Sequence, residues 1–558
     1  MTNPDRAPSV RAKLSSVTVL EWFALVAGLL PVLVSVTWAL ATGWVPLGDS
    51  GQLTVRSRDV LTSNHPLLGA WSSASQSAGT NLNNFGSLYN EMLAPFTRAS
   101  PYAGTAVGMT VINGACVVVA WLAARSSLGR RGAVVAMAST AALVVAMGCV
   151  TLLQTRQQVA LLLPFWALLW VVAAVVAGRT WAIPVAAFLA SLLVQTHFSF
   201  VLQGATLFAI VAVRVAVAGR RPLHSPLRRP LVATAVVFAA CWAQPVWDQF
   251  FGTHNLRRVL TGDPQPGPGL QVATNVVVHR GLAPPFWARS LSDANQPFMV
   301  AKGSLVGTWL PVLAWAAILA LLLLRTRRRP GGAFGIVVVA AVLLPTLLVV
   351  SARIPSYLGG FPPQNYYWMW PASLFLSAAV VLAVTEGVDP SASQIRPQVV
   401  SAGLATVLAV ATIAASVPTS RVEYLRSESF EQSDLARGFL DDVRTDLRDH
   451  PISGPVVVDY SRDLALSQHR YTFLAELQRA GVPFTFDDEV DVHRFGLGRC
   501  ADGRATTRLF LYSGDAAGDR PPDGARVVAR LVAPKRDAVV LVAVAERPGR
   551  PRHKCADS

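Results

Sequence analysis

The stretch GDSGQLTVRSRDVLTSNHPLLGAWSSASQSAGTNLNNFGSLY, residues 48–89, decides how the rest of the chain is read. It follows directly on an apolar run from about 17 to 42 and carries Asp49, Arg56, Arg58, Asp59, His65, Trp71, Asn81, Asn83 and Asn84. Polar and charged groups in such number are costly in hydrocarbon. The segment is therefore expected outside the bilayer, against the mouths of the spans that follow, where a carboxylate such as Asp49 can act on a bound substrate.

Composition supports a membrane setting. Of 558 residues, 52% are hydrophobic and 14% charged, and the mean hydropathy is +0.43, more apolar than a soluble protein of this size requires. The net charge of +16 sits in short clusters between apolar runs, the pattern of cytoplasmic loops, so membrane lipids rather than nucleic acid are the expected partner. Apolar runs near the 20 residues a spanning helix needs recur at about 17–42, 101–124, 132–153, 158–178, 180–197, 199–219, 230–247, 304–324, 333–352, 366–385 and 397–418. Arg6, Arg11 and Lys13 precede the first, which is too long for a signal-peptide core and is expected to remain as a helix entering from the cytoplasm. The loops then expected inside hold Arg125, Arg130, Arg131, Arg179, Arg220, Arg221, Arg228, Arg229, Arg325, Arg327, Arg328, Arg329 and Arg396; the short loops expected outside hold only Arg156 and Arg353. Glu21 and Arg214, within apolar runs, are expected to snorkel.

Eleven spans place two long loops, 43–100 and 248–303, outside. The first has a helical pattern around 59–71 and 88–96 suited to lying along the membrane surface; the second is rich in Pro and Gly and reads as irregular. The division expected is a membrane domain over 1–420 and an extracytoplasmic α/β domain over 421–558. In the latter, 421–450 and 464–480 read as helices, and 454–460, 483–486, 507–513, 525–532 and 537–546 as strands. Cys500 and Cys555 are the cysteines of this polar region and are disulfide candidates if it is extracytoplasmic.

Asp49 admits two readings, a general base near the membrane surface or a cap for the helix that follows. His197, Asp248, Gln249, Arg353 and Tyr357 are all expected on its side of the membrane, and converging polar groups mark functional clefts; a lone His at a helix end is as readily an interfacial residue. Arg56, Arg58, Arg257, Arg258 and Arg353 suit a phosphate through the guanidinium fork, or are solvated surface groups. Asp59 and His65, six apart, do not suit two ligands on one helical face, so they read as substrate-binding or loop-fixing. The acids of DDEVDVH (487–493) offer oxygen ligands for a divalent cation, or a solvated loop.

This layout resembles the GT-C superfamily of integral membrane glycosyltransferases, the arabinofuranosyl- and mannosyltransferase-like members among them. Local matches are GDSG (48–51), NHPLLG (64–69), NNFGSLY (83–89), which brings in Asn84 and Tyr89, and WDQF (247–250). Where the family places its catalytic acid this chain has Asp49; many members carry paired acids there, whereas Asp49 is followed by Ser50. The resemblance implies transfer of a sugar, with inversion, from a polyprenyl-phosphate donor to a glycan or protein acceptor of the cell envelope. The competing readings are a transporter or flippase of an envelope precursor and a non-catalytic glycan-binding membrane protein.

Overall fold

Thr18 and Glu21 start the first helix. The Glu21 amide donates to Thr18 Oγ1 at 3.4 Å and the Thr18 amide donates to Glu21 Oε2 at 2.8 Å, a reciprocal cap for α1 (Val19–Thr42). The helix ends on Gly43 in the left-handed region, φ 62°. Glu21 does not snorkel: it is buried and accepts from Arg125 Nε at 2.8 Å. The structure, a computed structural model, describes residues 17–219, 227–262, 266–282, 304–328, 331–354, 363–386, 430–463, 469–505, 507–513, 525–532 and 539–545.

After α1 come α2 (Asp49–Asp59), α3 (Ala74–Ala78) and α4 (Leu88–Ala99). The helical reading of 59–71 is corrected. Helix α2 stops at Asp59, Leu61 takes a left-handed φ of 62°, and Pro66 and Gly69 keep the chain irregular up to Trp71. The helical reading of 88–96 holds, in α4.

Two expected spans, 101–124 and 132–153, form one run of 53 residues, α5 (Pro101–Leu153). Straight, it would measure roughly 80 Å, against a hydrocarbon core of about 30 Å. It is not straight: Gly129 has φ 65° and ψ −153°, Asn113 Nδ2 donates to the Leu152 carbonyl at 2.9 Å, and Gly28 of α1 lies against both Val117 and Met137. The run doubles back into two limbs.

The bundle continues with α6 (Gln157–Ala160), α7 (Leu162–Val176), α8 (Ala182–Thr196), α9 (Val201–Gly219), α10 (Arg228–Phe251), α11 (Asn255–Thr261), α12 (Gly269–Gly281), α13 (Leu305–Thr326), α14 (Gly332–Arg353) and α15 (Met369–Thr385). Its centre is α7, where Trp166 and Trp170 are fully buried and meet edge to face at 5.6 Å. Small residues bring backbones together: a Cβ at Gly335 of α14 would stand 2.5 Å from the Ala173 carbonyl of α7. Among the described residues, eight helical stretches are long and apolar enough to cross a membrane, α8 is shorter, and the expected span at 397–418 lies outside them. The chain is a multi-pass membrane protein. The loop expected irregular over 248–303 contains the end of α10 and helices α11 and α12, with residues 252–254 and 266–268 irregular between them; residues 263–265 and 283–303 lie outside the described residues.

The C-terminal part contains α16 (Phe430–Asp449), β1 (Val456–Asp463), α17 (Arg470–Arg479), β2 (Phe484–Phe486), α18 (Glu489–Phe495), β3 (Thr507–Ser513), β4 (Arg526–Val532) and β5 (Val539–Ala545). The sheet order is β2-β1-β3-β5-β4; β1 runs parallel to β2 and β3, and β5 antiparallel to β3 and β4. The expected strands are all present, while most of 487–493, read as a cation site or a solvated loop, falls in helix α18, capped by Asp488.

This core is not built from the C-terminal sequence alone. Val45, Leu47 and Val55 belong to the same cluster as Phe439, Leu474 and Phe486. Thr472 Oγ1 donates to the Pro46 carbonyl at 2.7 Å, and Arg499 donates to both oxygens of Asp59 at 2.6 and 2.8 Å, with 4% and 5% of the two side chains exposed. Burial raises the Asp59 carboxyl above its ordinary value, with Arg499 pulling the other way. Desolvation is therefore not fully offset, yet removing one partner strands the other. Asp59→Ala or Arg499→Ala should each cost about 3–5 kcal/mol, while Asp59→Leu with Arg499→Met should recover most of that. Apparent melting temperatures in detergent check this; two single variants melting like the wild type would remove the pair from the stability of the fold.

Candidate active site

Gly48 places Asp49. With φ 53° and ψ −132° it adopts a conformation that L side chains avoid, and the chain turns there so that Asp49 is the first residue of α2. The connector between α5 and α6 docks on the same turn: the Thr155 amide donates to Ser50 Oγ and Thr155 Oγ1 to the Ser50 carbonyl, both at 3.3 Å. That docking brings Arg156 Nε to 3.1 Å from Asp49 Oδ2, with half of the Asp49 side chain exposed.

Asp49 and Arg156 line a cavity of about 340 Å³ whose wall also includes Gln52, Trp71, Asn84, His197, Arg470 and Arg494. Asn84 fixes two parts of this wall, accepting from the Phe198 amide at 3.1 Å and donating to the Ala70 carbonyl at 3.0 Å. Trp71 is held by its Nε1 donating to Asn81 Oδ1 at 3.0 Å. His197 Nδ1 accepts from the Ser199 amide at 3.2 Å, so the proton of the neutral ring sits on Nε2. Burial pushes this imidazole down to about 4, with Asp49 pulling the other way, and it is uncharged at neutral pH.

The C-terminal domain closes the other side. Arg470, at the start of α17, donates to Tyr471 Oη at 2.6 Å and lies 4.5 Å from the ring centre of Tyr471 and 5.4 Å from that of Tyr460. Arg494, in α18, donates to Asp491 Oδ1 at 3.1 Å and lies 5.0 Å over the Trp71 ring.

Of the residues singled out from the sequence, Asp49, Trp71, Asn84 and His197 meet at this cavity. The others lie elsewhere. Arg56 is buried and donates to the Leu68 and Gly69 carbonyls at 2.6 and 3.2 Å and to the Arg494 carbonyl, so it holds the walls rather than a ligand; burial pulls its guanidinium down to about 10, still a cation at neutral pH. Arg58 donates to the Thr97 carbonyl at 2.6 Å, Asp59 is taken by Arg499, and Tyr89 is buried with its hydroxyl on Met109 Sδ at 2.9 Å. Asp248 caps a turn, accepting from the Thr253 and Asn255 amides at 3.0 and 3.1 Å, and Gln249 Oε1 accepts from the Arg257 amide at 2.9 Å. His65 and Asp248 border a separate cavity of about 240 Å³, where His65 Nδ1 accepts from the Leu61 amide at 3.0 Å. Arg353 is exposed at the end of α14, and Tyr357 lies outside the described residues. Cys500 is disulfide-bonded; Cys555 lies outside.

The donor set of the Asp49 cavity does not suit a metal ion, because its other charged groups are guanidinium ions. Among the described residues no group of three or more His, Cys, Asp or Glu side chains is placed to hold one. In 487–493 the acids are engaged: Asp487 with Arg508 at 2.8 Å, Asp488 as the α18 cap and Asp491 with Arg494. The sequence reading missed Arg156, Arg470 and Arg494. Arg156 carried a signal, being one of two arginines in short loops expected outside; the other two are ordinary arginines of a charged tail.

The fold is the class that the resemblance implies, a GT-C-like helical membrane protein with an appended α/β domain. In particular, it matches ArnT from Cupriavidus metallidurans in the apo state with a TM-score of 0.50 and 14% identity, over 92% of this chain and 97% of that one. ArnT from the same organism bound to undecaprenyl phosphate aligns with a TM-score of 0.46 and 13% identity, over 96% and 98%. The likeness reaches the fold and not the arabinofuranosyltransferase subtype. No protein-family model matches the chain and no curated protein sequence matches it.

His197 gives the site a pH signature. Its native value lies below the ordinary 6.5, so as pH falls the unfolded chain takes up this proton first. Stability is then lost as pH drops from about 6.5 towards about 4. Between about pH 7 and about pH 4.5 the wild type should lose more thermal stability than His197→Gln; parallel melting curves would show that the imidazole is not held neutral by the fold.

Proposed function

We propose that this protein is a membrane glycosyltransferase that moves a sugar, with inversion, from a polyprenyl-phosphate donor to a hydroxyl of a cell-envelope glycan or protein acceptor on the extracytoplasmic side. The carrying observation is a half-exposed carboxylate, Asp49, held 3.1 Å from Arg156 in a cavity walled by three guanidinium groups where the membrane bundle meets the C-terminal domain. The fold shared with ArnT supports the class. A lipid-linked donor suits the place, since a prenyl chain remains among the helices while its phosphate reaches the cations.

In the reaction Asp49 takes the proton of the acceptor hydroxyl as its oxygen bonds to the anomeric carbon. The bond from that carbon to the phosphate oxygen breaks, its electron pair stays on the phosphate, and polyprenyl phosphate departs. Arg156 steadies Asp49 beforehand, and the guanidinium groups of the cavity wall are there to stabilise the charge that grows on the leaving group. A single displacement from the face opposite the phosphate inverts the sugar.

The opposite end of the bundle supports the extracytoplasmic reading. There Arg131 donates to the Thr385 carbonyl at 3.0 Å, Arg325 to the Val384 carbonyl at 3.3 Å, and Arg125 pairs with Glu21. By the positive-inside rule this end is cytoplasmic and the Asp49 cavity faces away from the cytosol.

Loss of a general base costs about 10²–10⁴ in rate. Asp49→Asn should lower sugar transfer from polyprenyl-phosphate donors by that factor with the melting temperature unchanged, read by incorporation of labelled sugar across a panel of donors in membranes containing the full chain. Undiminished transfer in this variant would remove Asp49 from the mechanism.

A further inference from the structure

The chemistry assigned above uses one cavity and leaves a second without a part. About 240 Å³ in volume, it lies where the loop 65–68, the end of α10 and the turn after α18 converge. The two cavities share a wall, for sequence neighbours line its opposite sides: Asn84 and Arg494 face the Asp49 cavity, Asn83 and His493 the other. Asn83 Nδ2 ties this wall together by donating to the Gly69 and His493 carbonyls at 3.0 and 3.2 Å.

Three polar side chains on the second cavity have hydrogen-bonding capacity that the described residues leave unused. His493 is 7% exposed and its imidazole makes no hydrogen bond among them; Glu489 Oε1 stands 3.9 Å from its Nε2, beyond bonding distance, and is taken by Asn81 at 2.7 Å. Burial pulls this imidazole below its ordinary value, with Arg258 acting the same way and Glu489 against it. His65 accepts at Nδ1 from the Leu61 amide, which puts its proton on Nε2 as an open donor. Asn83 is 6% exposed and its side chain bonds through Nδ2 alone, so Oδ1 is an open acceptor. Buried polar groups are ordinarily bonded, and three left open on one cavity mark it as a place for a ligand.

The charged groups beside it are already taken. Asp248 accepts through both oxygens from Thr253 and Asn255, and the guanidinium of Arg56 ends on carbonyls. Among the described residues no three His, Cys, Asp or Glu side chains stand together as metal ligands. The rest of the wall includes Pro66, Leu67, Leu68 and Leu497, where an ion would lose hydration without gaining a counter-charge. What fits is an uncharged molecule with hydroxyls for the imidazoles and the amide and carbon surface for the leucines. The volume falls below the roughly 300–1,000 Å³ of drug-sized sites, which suits a single sugar ring.

We infer that this cavity binds an uncharged glycosyl residue through His65, Asn83 and His493, and that the residue belongs to a glycan acceptor held across the wall from Asp49. Its assignment to the acceptor rests on the transferase reading; the class of ligand rests on the cavity alone.

The full chain in lipid nanodiscs is titrated with the methyl glycosides of mannose, glucose, galactose and arabinofuranose, with binding read by saturation-transfer NMR. At least one should bind the wild type in the millimolar range. The methyl glycosides of glucuronic acid and glucosamine, alike in shape but charged, should bind about tenfold more weakly than that one or not at all. His493→Phe should weaken the bound glycoside by about tenfold or more, and His493→Gln, which keeps a donor and an acceptor, by less. Leu497→Trp, which puts bulk into the cavity and removes no hydrogen bond, should abolish binding with His493 in place. A wild type that binds none of the neutral glycosides overturns the inference. So does equal affinity in the wild type and His493→Phe, because the glycoside would then sit in the Asp49 cavity or on the surface. In the transfer assay the bound glycoside should inhibit sugar incorporation by the wild type; binding without inhibition overturns the assignment to the acceptor. The titration needs no donor, so undiminished transfer by Asp49→Asn would end the catalytic reading and leave the glycoside site standing.

Discussion

The docking of one short helix, α2, into a core made mostly by the C-terminal sequence is the constraint on which the structure turns. Leu47 and Val55 are apolar members of that core, and Asp59 is its charged anchor on Arg499. A polar segment between two membrane spans is ordinarily a loop free to move. Here it carries buried side chains from a second core, so it cannot leave without exposing apolar area and stranding an ion pair. The bundle and the C-terminal domain are thereby joined around the segment that bears Asp49.

That joint explains why the cavity lies where it does. Helix α2 begins at the cavity and ends in the ion pair, so the interaction that costs most to break is one helix length from the group proposed to do chemistry. Arg56, midway along the helix, bonds the backbone on both sides of the cavity wall, at Leu68 and Gly69 and at Arg494. Electrostatic catalysis needs its charges placed before the reaction begins. A guanidinium whose bonds all end on carbonyls supplies such placement without itself entering the site.

Much of the architecture was legible in the sequence because hydrocarbon leaves few choices. Apolar runs located the helices, and the arginines of 125–131 and 325–328 lie together at one end of the bundle as their loop placement required. The strands at 456–463 and 526–532 followed from runs rich in valine and that at 507–513 from alternating leucine and aromatic residues. What was not legible depends on contacts distant in sequence. Nothing local marks Arg56 and Asp59 as structural, because their partners Arg494 and Arg499 lie more than 400 residues away. The same holds for Arg470 and Arg494, ordinary arginines until folding sets them opposite Asp49. The helix read around 59–71 failed for a local reason: apolar spacing suggested continuity, but α2 had already stopped at its buried anchor, and Leu61, Pro66 and Gly69 bend the chain.

The two carboxylates of α2 show how the fold divides labour within eleven residues. Asp59 is enclosed, bonded through both oxygens by Arg499 and by Gln478 Nε2 at 2.7 Å, so no lone pair remains for a substrate proton without dismantling the joint. Asp49 is half exposed and meets Arg156 through Oδ2, which leaves carboxylate surface open to the cavity. From sequence both were acids beside a span with arginines near by. Their difference is one of access, and access was settled by which end of the helix the C-terminal domain covers.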